Sequence, residues 1–134
     1  MKNMSFFLTT QQFINHKKEI TRRCGWNSLI PGEHFMAVEK AQGLGKGGKI
    51  RKLGECMCIS NVPEPLNDIV RRPIRLQDQL ADKYGHGYLM PEVWREGFPK
   101  MTPEEFVKMF CKANKTKNCH PETVINRIHF KRLD

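Results

Sequence analysis

An α+β fold, a small β-barrel with helices flanking its openings, is predicted by three features of this sequence. Apolar residues arrive in short bursts of strand length, among them Phe6–Leu8, Phe35–Val38, Cys56–Ile59 and Val124–Phe130. Short strand-like runs outnumber helical ones and do not alternate with them in βαβ fashion, which points away from a doubly wound sheet. A glycine-dense stretch, Gly43–Lys49, lies between two strand-like runs and reads as a hairpin tip. No repeat, low-complexity tract or linker divides the chain, so its 134 residues are expected to form a single domain, 1–134, around one hydrophobic core.

The elements follow in order. Met4–Leu8 reads as a first strand and Thr9–Asn15 as a short helix capped by Thr9 or Thr10. Lys17–Arg23 carries alternating character, and Cys24–Gly32 is a loop closed by the turn pair Pro31-Gly32. His34–Ala41 alternates as a strand entering a barrel. Ile50–Val62 reads as a long strand bent at Gly54 and ended by Pro63-Glu64-Pro65. A charged, helical or irregular stretch from Asn67 leads to the loop Tyr84-Gly85-His86-Gly87-Tyr88. Met90–Glu96 is a short helix with Pro91 in its first turn. Thr102-Pro103-Glu104-Glu105 opens the next helix with a capping box, and Phe106, Val107, Met109 and Phe110 give it an apolar stripe. Val124–Leu133 is the closing strand, with Val124, Asn126, Ile128 and Phe130 on one face and His129 and Lys131 on the other.

Charge speaks to partners. Lysine and arginine outnumber aspartate and glutamate by 23 to 14, a net charge of +9, which favours a polyanion because each neutralised phosphate releases counterions. Lys40, Lys46, Lys49, Arg51 and Lys52 make the Gly43–Lys49 hairpin a basic finger, either a phosphate-contacting clamp or a solvated turn. It lacks the spacing of a P-loop and opens no helix. No stretch approaches a membrane span, the N-terminus lacks a signal-peptide core, and the five cysteines are an odd number. Reduced thiols in a cytoplasm, of a bacterium or a phage-infected bacterium, are therefore expected, with no membrane partner. Cys56 and Cys58 read as small buried apolar residues rather than a metal pair. Cys119 beside His120 has no further ligands at zinc spacing, so no metal and no cofactor are expected.

The segment Asn15-His16-Lys17-Lys18-Glu19-Ile20-Thr21-Arg22-Arg23 resembles the signature of the ASCH domain, Gly-x-Lys-x-x-Thr-x-Arg, which follows the first helix of a PUA-like barrel. Lys18, Thr21 and Arg23 match its Lys, Thr and Arg, and His16 stands at its Gly. Pro31-Gly32-Glu33, Glu96-Gly97-Phe98 ahead of the Thr102–Cys111 helix, and the closing strand resemble further family elements in the family's order. The resemblance implies a PUA-like small β-barrel with flanking helices. Relatives divide into RNA-binding modules, a ribonuclease-like branch and an N4-acetylcytidine amidohydrolase. In the last, a Lys, a Thr and a Glu are catalytic, and the motifs carry these onto Lys18, Thr21 and Glu96.

Two functions remain open. A binding module would take RNA, single-stranded nucleic acid or a nucleotide in a basic cleft beside Lys18–Arg23, using Arg22, Arg23, Trp26, Lys40, Lys46, Lys49 and Arg51. Trp26 would stack on a base, while Trp94 reads as core. An amidohydrolase would instead deacylate a modified nucleoside, with a base freeing the Thr21 proton. That base is Lys18 if burial or a neighbouring cation lowers its pKa. In a flat strand, residues three apart point to opposite faces, so Lys18 and Thr21 converge only if the chain turns between them. A nuclease has less support, since no paired carboxylates mark a metal site. Tyr84, His86 and Tyr88 are either a lid or plain loop residues.

Overall fold

A computed structural model describes residues 1–45, 47–76 and 90–133. Lys46 of the basic hairpin and the Tyr84–Tyr88 loop lie outside the described residues. Five strands, β1 (Lys2–Ser5), β2 (Ile20–Arg23), β3 (His34–Val38), β4 (Lys52–Pro65) and β5 (Val124–Arg132), form one sheet in the order β1-β3-β4-β5-β2. The pair β1–β3 is parallel and the other pairs are antiparallel. The sheet curls into a half-barrel, and among the described residues four α-helices accompany it: α1 (Thr10–Ile14), α2 (Asp68–Arg71), α3 (Glu92–Arg95) and α4 (Pro103–Ala113). The α+β class stands.

Curling follows from where the ladders slip. Register shifts at Ala37/Val38 in the β3–β4 pair and at Cys58/Ser60 in the β4–β5 pair let the long β4 bend. One apolar cluster fills the concave side. Its rings Phe6, Phe13 and Phe130 lie 5.2 to 6.2 Å apart, and Cys56 and Cys58 are fully buried beside them, as small apolar residues should be. Each such ring stabilises the fold by about 1.5–3 kcal/mol through lost apolar exposure. A second cluster, built on Leu66, Ile69, Val93, Phe106, Phe110 and Ile125, packs α4 and the short helices against the other face of β5.

Several element boundaries differ from the sequence reading, each for a local reason. The first strand stops at Ser5, because Phe6 leaves extended geometry after donating to the Val38 carbonyl at 2.8 Å, and Phe7–Thr9 then form a 3₁₀ turn. Thr10 does not cap α1; its hydroxyl bonds back to the Phe6 carbonyl at 2.9 Å. The prolines do not end β4, which runs on through Pro65. Beyond Met57 it pairs only with β5, so the missing proline N–H groups fall on an open edge. Pro91 sits at the cap of α3 rather than inside it. The closing strand is buried on both faces, since Ile125 enters the second cluster while Ile128 and Phe130 enter the first. Trp94, expected in the core, is 46% exposed, because the single turn of α3 buries Glu92, Val93 and Arg95 and leaves Trp94 outward. The capping box of α4 is present as read: Glu105 N–H donates to Thr102 Oγ1 at 3.1 Å, and Thr102 N–H donates to Glu105 Oε1 at 3.0 Å.

Candidate functional site

The site is assembled by a turn, a strand end and a helix end. After α1 the chain reverses at His16, whose φ of 59° lies in the left-handed region that favours glycine. Lys17 N–H donates to the Gln12 carbonyl, closing the turn. Lys18 therefore precedes the strand, which starts only at Ile20, and strand alternation does not apply to it. Glu19 N–H then donates to the Arg95 carbonyl at 2.9 Å and draws the end of α3 alongside. Gly97, next in line, has φ +104° and sits where a Cβ would lie 3.1 Å from Gln12 Cβ. Glycine is needed there twice over, for its backbone angle and for the close approach.

That junction seats Lys18 against Glu96. The buried ammonium donates to the Glu96 carbonyl at 2.8 Å and to Glu96 Oε1 at 3.1 Å. Glu96 Oε2 accepts from Arg22 at 2.9 Å, so both carboxylate oxygens are held. Burial, with Arg23 and Arg22 adding to it, pulls the Lys18 pKa from 10.5 to about 8, against the raising pull of Glu96. Thr21 is buried too, and its Oγ1 accepts from Arg23 Nε at 3.0 Å. The two are two residues apart in β2 and share a face, which that bond requires. The Thr21 hydroxyl keeps its own proton for donation. Arg23 also donates to the Ser5 carbonyl at 2.5 Å and lies 5.0 Å over the Phe6 ring. Burial lowers its pKa to about 10, opposed by Glu96, so it is cationic at neutral pH.

These side chains line one cavity of about 370 Å³ between the two apolar clusters. Lys18, Thr21, Arg22, Arg23, Trp26 and Glu96, all named from the sequence, border it together. Trp26 is half-buried and packs 6.2 Å from Phe35. The hairpin cations fall elsewhere: Lys49 is exposed, Arg51 pairs with Glu39 at 2.7 Å, and Lys40 lies 5.3 Å over the Phe7 ring. None of those three borders the cavity. Phe7, itself on the rim and 58% exposed, is the nearest link between hairpin and site.

No family model matches the chain, and no curated protein matches it in sequence. Among solved structures it is similar to the crystal structure of protein EF3133 from Enterococcus faecalis V583, family-model DUF984. The TM-score is 0.57, covering 100% of this chain and 77% of that one at 13% identity. This likeness is one of fold.

Behind the cavity lies a buried ion network that the sequence did not reveal. Glu92 accepts from Arg127 Nε at 2.6 Å, Arg22 at 3.0 Å and Arg95 at 3.1 Å. Arg75 grips Glu64 with two bonds, of 2.6 and 3.0 Å. Burial alone would raise the Glu92 carboxyl, but the Arg127 bond and the charges of Arg22, Arg127 and Arg95 hold it at about 2. Among the described residues, Lys18 and four buried arginines face three buried carboxylates, Glu64, Glu92 and Glu96. Arg22 Nε, buried and without a hydrogen-bond partner, belongs to a side chain that reaches the cavity. The aromatic wall of Phe98, Phe106 and Phe110 was also missed as site, because its stripe reads simply as core. Among the described residues no group of three potential ligands could hold a metal ion.

Proposed function

We propose that the chain is an ASCH-type, PUA-like domain whose cavity takes a nucleoside or nucleotide. We propose further that it hydrolyses an acylated exocyclic amine such as that of N4-acetylcytidine. The observation that carries this reading is one cavity bordered by Lys18, Thr21 and Glu96, with the lysine pulled down to about 8. A general base titrating near the working pH is both deprotonated often enough and basic enough to act. The left-handed turn at His16, at the position of the signature Gly, is support from the backbone.

In the proposed reaction, neutral Lys18 takes the Thr21 proton as Oγ1 attacks the acyl carbon. The C–N bond breaks, the amine leaves with the proton from Lys18, and an acyl-Thr21 ester remains. Lys18 then deprotonates a water that attacks the ester, the bond from the acyl carbon to Thr21 Oγ1 breaks as Lys18 returns that proton to Oγ1, and the carboxylic acid leaves. Glu96 holds the Lys18 amine in place by its 3.1 Å bond, and Arg23 Nε, 3.0 Å from Thr21 Oγ1, stabilises charge developing on that oxygen. A cavity of about 370 Å³ suits a ligand of nucleoside size.

A second reading, binding without turnover, draws on the surplus of buried cations over carboxylates and on the Lys18–Glu96 pair, which favours the charged lysine. One experiment separates the two. Incubation with N4-acetylcytidine should release cytidine and acetate, and Thr21→Ala and Lys18→Ala should each lose at least about 100-fold in rate. An inactive wild type, or variants at full rate, removes the hydrolase reading. Binding alone then requires affinity for RNA or single-stranded DNA that falls steeply with salt and weakens in Arg23→Gln or Lys46→Gln. Salt-insensitive or absent binding would remove that as well.

A further inference from the structure

Three of the five cysteines gather where α4 ends. Cys24, Cys111 and Cys119 all pack, half-buried, against the second apolar cluster. The sulfurs of Cys111 and Cys119 are 3.0 Å apart, closer than two thiol sulfurs rest in ordinary van der Waals contact and about 1 Å beyond a covalent S–S bond. Topology makes the approach. Helix α4 ends at Ala113, Lys115–Lys117 form one 3₁₀ turn, and Asn118 at φ 54° reverses the chain so that Cys119 returns beside Cys111.

We infer that Cys111 and Cys119 form a reversible oxidation site, closing to a disulfide when the protein meets hydrogen peroxide. The chemistry balances. One thiol reacts with the peroxide O–O bond to give a sulfenic acid and one water. The second sulfur attacks the sulfenic sulfur, its proton leaves with the sulfenic hydroxyl as another water, and the S–S bond forms. Two thiols lose two electrons in all, and the peroxide is reduced to two waters. Both thiols are partly open to a small oxidant, and no large backbone movement separates them from bonding distance.

Closure has a consequence for the cavity. Asn114 and Lys117, which border it, lie between the two cysteines, so the bridge would fix that part of the wall. It would staple the end of α4 to the approach to β5. Burial and the neighbouring Cys111 push the Cys119 thiol up to about 11. The Cys119 thiol is therefore protonated at neutral pH, and oxidation through its thiolate should quicken as pH rises.

The test uses the full chain treated with hydrogen peroxide, alkylated and digested. A mass loss of two hydrogens is expected, with one peptide pair joined through Cys111 and Cys119 and released by dithiothreitol. The same treatment should raise the melting temperature by roughly 5–10 °C through closure of a short loop. Cys24→Ser should retain both effects, and Cys111→Ser and Cys119→Ser should lose both. Recovery of Cys111 and Cys119 as separately alkylated or over-oxidised residues, or a bridge through Cys24 instead, would overturn the assignment.

Discussion

Lys18 keeps its ammonium buried at the wall of the cavity, held by two bonds to Glu96 and opposed by Arg22 and Arg23. Its pKa near 8 makes a definite prediction about rate. If Lys18 must be neutral to accept the Thr21 proton, kcat/KM for deacylation rises with pH and levels off above about 8. Glu96→Gln removes the charge that raises the lysine, so the rising limb should move to lower pH. A profile flat from pH 6 to 9, or unmoved in Glu96→Gln, would count against Lys18 as base. Thr21 and Arg23 were named from the sequence as signature positions, and as residues two apart in β2 they share a face. Lys18 was legible only as a motif position, since the His16 turn that frees it from strand alternation leaves no mark in composition. Expected at nucleic acid, Arg22 spends its terminal nitrogens on Glu96 and Glu92 and so positions the site's carboxylate.

At the level of elements, the loop from α3 to α4 decides where Glu96 sits. Gly97→Ala forces an L-residue to φ +104° and drives a Cβ to 3.1 Å from Gln12 Cβ. We expect a loss of about 1–3 kcal/mol in urea denaturation, together with a fall in activity larger than that in Glu96→Gln variants of the same stability. Wild-type stability in Gly97→Ala would show that the approach of α1 to this loop is looser than drawn. The capping box and apolar stripe of α4 were readable because both are local, each depending on residues three or four apart. The reach of β4 through Pro65 was not, because tolerance of proline depends on which edge of the strand lies open. Trp94 was misread for a related reason: one turn of helix has too few residues for periodicity to fix its buried side.

Across the whole molecule, the half-barrel and the second cluster are joined through charge as well as through apolar contact. Arg22 on β2 pairs with Glu64 on β4 and with Glu92 on α3, and Glu92 also takes Arg127 from β5 and Arg95 from its own helix. These partners lie up to 70 residues apart, so nothing in the sequence could announce the network. The network makes the fold acid-sensitive. The Glu92 pKa is depressed from 4.5 to about 2, so its contribution, about 3 kcal/mol, is present above pH 4.5 and is lost as pH falls toward 2. Glu92→Gln should cost roughly 3–5 kcal/mol at neutral pH by stranding buried arginines, and should flatten that part of the acid limb. A variant as stable as wild type, with the same acid limb, would show that other groups bear this load. The strand-rich, curled α+β architecture was legible from the short apolar runs, and the bend read at Gly54 lies at the Ala37/Val38 register shift, whereas the Cys58/Ser60 shift and the two-sided burial of β5 leave no mark in periodicity.

The central claim, that the cavity between these layers hydrolyses an acylated nucleoside through Thr21, is tested most directly by substituting that one oxygen. N4-acetylcytidine is mixed with wild type, Thr21→Ser and Thr21→Ala, and acetate release is timed under single-turnover conditions. The account predicts release by wild type, release within about tenfold in Thr21→Ser, and a loss of at least about 100-fold in Thr21→Ala at unchanged melting temperature. Equal release by wild type and Thr21→Ala, or none from the folded wild type, would contradict it.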